Sequence, residues 1–134
     1  MQCANVRGGE RWQRSSVHSG WGSPITGREQ QSLKVFGEGI AYWTRMQQEG
    51  AIESFEAFQL EPHGGDLAGF CVLRGDAGRL AQMRVSEEFQ RLNSRAQLVV
   101  TNFGVVGAIT GEADLIRYAN RLNISLLSWL VIRG

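Results

Sequence analysis

The stretch FQLEPHGGDLAGFCVLRGD, Phe58–Asp76, decides the fold because it places two apolar runs on either side of a polar segment. Two glycines lie at the centre of that segment, between His63 and Asp66. Glycine tolerates positive φ, and an aspartate side chain bonds readily to nearby backbone N–H groups, so this composition is typical of a turn. The stretch therefore predicts a β-hairpin whose first strand ends at Pro62 and whose second strand covers Leu67–Arg74.

A metal site through His63 and Asp66 is the alternative interpretation of this segment. Two ligands are too few for a zinc or iron site, and the only other histidine, His18, is distant in the sequence. The sequence also contains no P-loop, dinucleotide fingerprint, GxSxG or CxxC motif. We therefore favour the turn, and we predict neither a metal nor a cofactor.

Size and charge limit the possible partners. With 134 residues, the chain is long enough for one domain with a buried core. Its net charge of +1 and its scattered arginines predict no general attraction to nucleic acid or to an anionic membrane. The apolar tail ISLLSWLVI, residues 124–132, is much shorter than the ~20 residues that a membrane span needs.

The two cysteines and the N-terminus predict a cytoplasmic protein. Cys71 lies within the apolar run GFCVL, where a free cysteine behaves as a small buried hydrophobe. Cys3 lies near the polar N-terminus, so we expect no disulfide between the two. The first 16 residues lack the apolar segment of a secretory signal.

The first part of the chain predicts an extension, a strand and a long helix. Residues 1–15 show no periodicity, and SVHSGWG, Ser16–Gly22, predicts the first strand. Thr26 and Glu29 match a capping box that begins a helix, and Gly50 supplies a left-handed end to it. Apolar residues at spacings of three and four predict one buried stripe on this helix: Leu33, Phe36, Ile40, Trp43 and Met46.

The remaining elements follow from caps and periodicity. A second strand is predicted over Ile52–Glu61, directly before the polar segment. Asp76 is predicted to cap a second helix and Ser86 to start a new helix within it, with four residues facing inward: Leu80, Met83, Phe89 and Leu92. The valine-rich run Gln97–Thr110 predicts the fourth strand. Residues 112–134 predict a C-terminal helical extension whose apolar stripe is Leu115, Ile116, Ala119, Leu122, Leu126, Trp129 and Leu130.

The order of the elements predicts an α+β fold. Strand, helix, strand, strand, helix, strand is the ferredoxin-like βαββαβ arrangement, here expected over residues 16–111. Right-handed crossovers place both long helices on one face of a four-stranded antiparallel sheet. The fold therefore leaves the second face of the sheet without a helix of its own.

Both faces of the predicted sheet are nevertheless apolar. In the third strand, Leu67, Gly69, Cys71 and Leu73 alternate with Ala68, Phe70, Val72 and Arg74. In the fourth, Leu98, Val100 and Val106 oppose Val99, Phe103, Val105 and Ile109. An antiparallel sheet with one face in water should alternate apolar and polar residues.

Something must therefore cover the helix-free face, because it would otherwise expose roughly several hundred Å² of apolar surface. One possible cover is the matching sheet of a second copy, in a two-fold homodimer. The other is the C-terminal helix of the same chain. We favour the homodimer, since the C-terminal helix can also extend that interface.

Several segments carry a resemblance to a known superfamily. They are the strand exit GWGSP (20–24), the junction QQEGAIESFE (47–56), EPHGGDLAGF (61–70) followed by LRGD (73–76), and SEEFQRL (86–92) leading into VVTNFGVVGA (99–108). Over these segments the chain resembles the dimeric α/β-barrel superfamily, near the YCII-related and stress-responsive barrel proteins and the cofactor-free monooxygenases. The resemblance implies the fold and a homodimer, but it implies no single activity, since members include enzymes and binding proteins.

One site of the superfamily is not transferred to this chain. In the YCII-related branch, a histidine and an aspartate near the first helix have been regarded as an active pair. The segment Arg28–Gly50 contains no histidine, so the resemblance implies no such pair here.

Two residues are the candidates for acid–base chemistry. His18 could shuttle a proton beside Trp21, although an isolated histidine is more often structural or exposed. A buried Glu53 with a raised pKa could act as a general base, whereas a solvated or ion-paired carboxylate is the simpler interpretation. Glu53 and Glu56 lie three residues apart and would point to opposite faces of a strand, which argues against a paired-carboxylate site.

Aromatic residues supply the candidate ligand site. Trp21, Phe58 and Phe103 could line an apolar pocket with Asn102 as a polar anchor, or could be plain core. The first functional hypothesis is a homodimer that binds a small, largely apolar molecule in a cleft lined by these residues and Glu53. The second is a cofactor-independent enzyme, monooxygenase- or isomerase-like, with His18 or Glu53 as base. The third is a structural or regulatory dimer without a pocket.

Overall fold

The computed structural model describes residues 14–108 and 110–122, and these ranges contain four strands and four helices. In chain order the elements are β1 (Arg14–Trp21), α1 (Glu29–Gln48), β2 (Ser54–Gln59), β3 (Gly69–Asp76), α2 (Ala77–Arg84), α3 (Glu87–Gln97), β4 (Gly104–Ala108) and α4 (Glu112–Arg121). The four strands form one sheet in the order β2-β3-β1-β4, and each neighbouring pair is antiparallel. The predicted ferredoxin-like α+β fold is confirmed.

The core lies between the sheet and the helices α1, α2 and α3. In the register of the sheet, Leu73 of β3 stands between Val17 of β1 and Phe55 of β2. Leu73 is fully buried and Val17 is 3% exposed, and both pack with Trp43 of α1 and Phe89 of α3. This row of large side chains belongs to the cluster that joins the central strands to the helices.

The predicted capping box at the start of α1 is wrong. Arg28 is the N-cap, and it makes no side-chain capping hydrogen bond. The backbone N–H of Arg28 donates to the carbonyl of Ile25 at 2.8 Å, so the chain makes a tight turn that places Thr26 before the helix begins. The carboxylate of Glu29 instead accepts from the N–H of Gly27 at 3.1 Å. The helix end at Gly50 is confirmed by its φ of 82°.

The apolar stripe of α1 is buried only in its second half. Trp43 and Met46 are 5% and 7% exposed, whereas Leu33 and Phe36 are 72% and 46% exposed. The N-terminal half of α1 thus leaves Leu33 and part of Phe36 in solvent, although Val35 in the same half is buried.

Both predicted caps in the middle of the chain are confirmed. The Asp76 carboxylate accepts from the backbone N–H of Arg79 at 3.0 Å, and the Ser86 hydroxyl accepts from that of Phe89 at 3.2 Å. Ser86 also donates to the carbonyl of Met83 at 2.7 Å, which ends α2 as α3 begins. At the predicted kink between the two short helices, Ser86 therefore caps the end of α2 and the start of α3.

The fourth strand is shorter than predicted. Gln97 is the last residue of α3 rather than the first of a strand, and β4 begins at Gly104. Between them, Val100 forms an isolated bridge with Pro24, and Asn102 turns the chain with a φ of 53°. The N–H of Leu98 donates to the carbonyls of Arg95 and Ala96, so the first residues of the predicted strand close the end of α3 instead.

The C-terminal extension begins as predicted with a helix, α4. Of its predicted stripe, Ala119 is buried, whereas Leu115 and Leu122 are exposed. The stripe residues Leu126, Trp129 and Leu130 lie outside the described residues, as do residues 1–13 of the predicted N-terminal extension and Ile109.

Replacement of Ser86 by alanine should lower the free energy of unfolding by about 1 kcal/mol, because the first turn of α3 would lose its side-chain acceptor. Urea denaturation followed by circular dichroism measures this loss. Ser94→Ala, an exposed position inside the same helix, should change the unfolding free energy by less than about 0.5 kcal/mol. Equal effects of the two substitutions would contradict the capping role.

Candidate functional site

A cavity of about 300 Å³ lies between the helix-bearing face of the sheet and the helices α1 and α3. Its wall is mostly apolar, with a few neutral polar side chains. The lining residues are Ser19, Trp21, Gly22, Pro24, Ser32, Leu33, Val35, Phe36, Gly39, Ile40, Trp43, Ala57, Gln59, Ala68, Cys71, Leu92, Asn93, Ala96, Val99, Val100 and Phe103. A volume of this size lies at the lower end of the range typical of small-molecule sites.

The cavity exists because one row of the sheet carries small side chains. The register places Cys71 of β3 between Ser19 of β1 and Ala57 of β2, two residues along from the large row that includes Leu73. Residues two apart on a strand point to the same face, so this small row also faces the helices. Side chains of this size leave space beneath the open N-terminal half of α1.

Trp21 forms the end wall of the cavity. Its indole lies over Gly69, since a Cβ built at that glycine would be 2.8 Å from the Trp21 ring and 2.6 Å from the carbonyl oxygen of Phe58. Phe36 of α1 meets the indole edge-on, with the ring centroids 5.7 Å apart. Gly69 is therefore required for the indole to lie flat against the sheet, and the aromatic pair connects α1 to β1.

The cavity wall is electrically neutral. Among the described residues, no charged side chain lines it. Ser19 and Cys71 are 6% and 2% exposed, and burial raises the pKa of the Cys71 thiol to about 11. Cys71 is therefore a thiol rather than a reactive thiolate at neutral pH.

The structure brings two of the predicted ligand-site residues together. Trp21 and Phe103 both line the cavity. Phe58 lies on the opposite face of the sheet, where it stacks on Phe70 with ring centroids 4.9 Å apart. Asn102 is exposed in the turn before β4 and does not line the cavity.

The two candidate bases lie apart from the cavity and from each other. His18 is on the helix-free face, with its Nε2 atom 3.3 Å from the Ser16 hydroxyl and its ring stacked on Phe70 at 6.3 Å. Glu53 is exposed just before β2 and forms an ion pair with Arg14. The catalytic roles suggested for His18 and Glu53 remain predictions.

Several residues of the cavity were not predicted from the sequence. Trp43 was assigned to the core, and Ser19, Cys71 and Ala57 attracted no functional interpretation. The small size of residues 19, 57 and 71 is visible in the sequence, but only the register shows that the three share one row. Gly39, which faces Trp43 within α1, was a further available signal, since glycine is unfavourable inside a helix.

The helix-free face is apolar at its centre. One row of the register runs Glu56, Val72, His18, Val106, and the next includes Phe58 and Phe70. Val106 is 62% exposed in the single chain. At the margin of this face, Arg74 and Glu56 approach to 3.7 Å as a solvated ion pair. The face thus combines an apolar centre with a charged rim, as protein interfaces do.

The polar segment that contains His63 and Asp66 connects β2 to β3 as the predicted hairpin loop. The Nε2 atom of His63 lies 2.8 Å from the Leu67 carbonyl, and its Nδ1 accepts from the N–H of Gly65 at 3.2 Å. Within the described ranges, no three His, Cys, Asp or Glu side chains come together as metal ligands would. His63 is thus engaged in holding its own loop.

Comparisons with solved structures show the same fold. A dabb-family protein with a ferredoxin-like fold from Mesorhizobium loti matches 75% of this chain and 100% of its own, at 9% identity and a TM-score of 0.59. A dimeric ferredoxin-like protein of unknown function from Jannaschia sp. matches 72% and 99%, at 14% identity and a TM-score of 0.57. A dimeric protein of unknown function from Bacteroides fragilis, also ferredoxin-like, matches 72% and 97%, at 8% identity and a TM-score of 0.54.

These matches confirm the ferredoxin-like fold that the resemblance implied. No protein-family model matches the sequence, and no curated protein is similar to it. In residues 14–108 and 110–122, no helix has both the length and the apolar character needed to cross a membrane.

Replacement of Gly69 by alanine should displace the Trp21 indole, because the added methyl group would overlap both the ring and the Phe58 carbonyl. We expect a loss of about 1–3 kcal/mol in the free energy of unfolding, as for other overpacked sites. Tryptophan fluorescence and urea denaturation measure the two effects. Gly37→Ala, where a Cβ meets nothing within 4 Å, is the control and should leave the fluorescence unchanged. Unaltered fluorescence in Gly69→Ala would show that the indole is not held against Gly69.

Proposed function

We propose that this protein is a homodimer that binds a small, largely apolar molecule in the cavity between its sheet and the helices α1 and α3. The observation that carries the proposal is the cavity itself, which is kept open by the small row of Ser19, Cys71 and Ala57. A structural dimer would gain stability from filling this space, because each missing methylene in a core costs contact energy.

The aromatic wall supports binding of an apolar molecule. Trp21, Phe36 and Phe103 present ring surfaces to the space, and rings of this kind gain contact energy with planar or aliphatic ligands. Leu33 is largely exposed and Phe36 about half exposed at the N-terminal half of α1. An apolar ligand would remove part of that surface from water, which favours binding.

The homodimer is supported by the helix-free face. It carries the apolar side chains Phe58, Phe70, Val72 and Val106 from three of its four strands, and soluble monomers rarely expose such a patch. Two of the structurally similar proteins, those from Jannaschia sp. and Bacteroides fragilis, are dimeric. We infer that two copies of this chain associate through their sheets, each covering the other.

Replacement of Val106 by glutamate should separate the dimer, because it buries a carboxylate in an apolar interface without a partner. We expect the dimer dissociation constant to rise by at least about 100-fold, which corresponds to roughly 3 kcal/mol. Light scattering with size-exclusion chromatography measures the mass, which should fall from about twice 14.9 kDa to 14.9 kDa.

Val85→Glu is the matched control for this substitution. Val85 is 74% exposed between α2 and α3, away from the sheet, so the same change there should leave the dimer intact. A Val106→Glu protein that keeps the dimer mass would rule out association through the helix-free face.

Replacement of Gly39 by leucine should block ligand binding, because Gly39 lines the cavity and the larger side chain would occupy part of its space. A Cβ at this position meets only Trp43, at an ordinary contact distance of 3.8 Å, so the helix can accept the residue. We expect at least about a tenfold loss of affinity for a fluorescent apolar probe such as 1-anilinonaphthalene, equivalent to ~1.4 kcal/mol. Fluorescence titration measures the affinity.

Gly37→Leu is the matched control in the same helix. It makes the same change in helix propensity, but Gly37 is exposed and does not line the cavity. Its affinity for the probe should equal that of the unmodified protein. Equal loss in both variants, or in neither, would contradict binding in this cavity.

A further inference from the structure

We infer that the cavity selects uncharged molecules carrying a hydrogen-bond acceptor oxygen, such as a ketone or an ester, and that the Ser19 hydroxyl is the anchor for that oxygen. This inference rests on the proposed function and specifies the chemical class of the ligand.

The neutral wall excludes charged ligands. A carboxylate or phosphate entering the cavity would lose its hydration and would meet no opposite charge among the described lining residues. The two arginines of α3 are already paired, Arg95 with Glu38 of α1 at 2.9 Å and Arg91 with Glu87 at 3.6 Å. Neither is available to a ligand without breaking an existing ion pair.

Ser19 offers an unused hydroxyl to the cavity. The residue is 6% exposed and lines the cavity floor, and its hydroxyl makes no hydrogen bond to any described residue. No fully enclosed side-chain oxygen or nitrogen in the described ranges lacks a partner. The Ser19 oxygen is therefore reached from the cavity rather than sealed behind it, where it can donate to a ligand.

The indole N–H of Trp43 is a second hydrogen-bond donor at the cavity. It is 5% exposed, it lines the cavity, and its Nε1 atom lies beside Gly39 in the cavity wall. That N–H forms no side-chain hydrogen bond within the described ranges, and an indole N–H cannot accept. Since no enclosed side-chain nitrogen there lacks a partner, the Nε1 atom is reached from the cavity, and the ligand group that complements it is an acceptor oxygen.

The size of the cavity suits a two-ring probe. A dry apolar cavity of about 150 Å³ holds one benzene molecule, and this one has about 300 Å³. Three naphthalenes with substituents of similar size separate the relevant chemistry: 2-acetylnaphthalene carries an acceptor oxygen, 2-ethylnaphthalene carries none, and 2-naphthoate carries a charge.

The experiment measures the affinity of the full-length protein for all three probes by calorimetry or by competition with 1-anilinonaphthalene. The acetyl compound should bind about 5–10-fold more tightly than the ethyl compound, the effect of one hydrogen bond. The acetyl compound should also bind more than about tenfold more tightly than 2-naphthoate, because the carboxylate of 2-naphthoate loses its hydration on entering the cavity.

Ser19→Ala should reduce the preference for acetyl over ethyl, because it removes the anchoring hydroxyl and lowers the acetyl affinity more than the ethyl affinity. Ser15→Ala is the matched control, since Ser15 lies on the same strand and points to the same face without lining the cavity. It should keep the full preference.

Each contrary outcome separates the inference from the proposed function. Equal affinity for the acetyl and ethyl probes, or tight binding of 2-naphthoate, would overturn the inference and leave binding in the cavity in place. An equal loss of affinity for all three probes in Ser19→Ala would mean that Ser19 only shapes the cavity. That result would also overturn the inference. Binding of none of the probes, together with no effect of Gly39→Leu on 1-anilinonaphthalene, would overturn both.

Discussion

The pairing of β1 with β3 at the centre of the sheet is the constraint on which the rest of the structure depends. Its register sets Val17 beside Leu73 and, two residues along, Ser19 beside Cys71. The first pair is the centre of the core, and the second pair is the floor of the cavity. A slip of one residue would exchange the two faces of these strands and would remove both features at once.

The same register divides the molecule into two chemical surfaces. The helix-bearing side has a neutral cavity with a few unused donors, whereas the helix-free side has stacked rings from His18, Phe70 and Phe58. Because β1 and β3 lie in the middle of the sheet, every alternate residue contributes to one surface or the other. The proposed ligand site and the proposed dimer interface are therefore separated by a single layer of backbone, and neither requires the other to be rearranged.

The sequence predicted the elements best where local chemistry decides them. The hairpin around His63 and the caps at Asp76 and Ser86 depend on a few neighbouring residues, and all were predicted. The capping box at Thr26 failed because a turn at residues 25–28 delays the helix. The start of β4 failed because residues 98–103, although rich in strand formers, form the end of α3, an isolated bridge to Pro24 and the turn at Asn102.

The cavity was less accessible to prediction for a different reason. Alternation along each strand shows that Trp21 and Phe58 lie on opposite faces of the sheet only when the pairing of their strands is known. That pairing is a long-range property. The ligand-site hypothesis grouped these two aromatic residues, and the structure places them on opposite faces. The openness of α1 above Leu33 and Phe36 also follows from packing rather than from the apolar periodicity, which runs unbroken along the helix.

The row of small side chains makes the volume of the cavity adjustable without changing the scaffold. Ser19, Cys71 and Ala57 belong to three different strands, and the hydrogen-bonded ladder between those strands uses only backbone atoms. A larger residue at any one of them would shorten the space in one direction and leave the pairing intact. Chains of this architecture can therefore diverge in ligand shape one strand at a time, while the large row through Leu73 keeps the layers together.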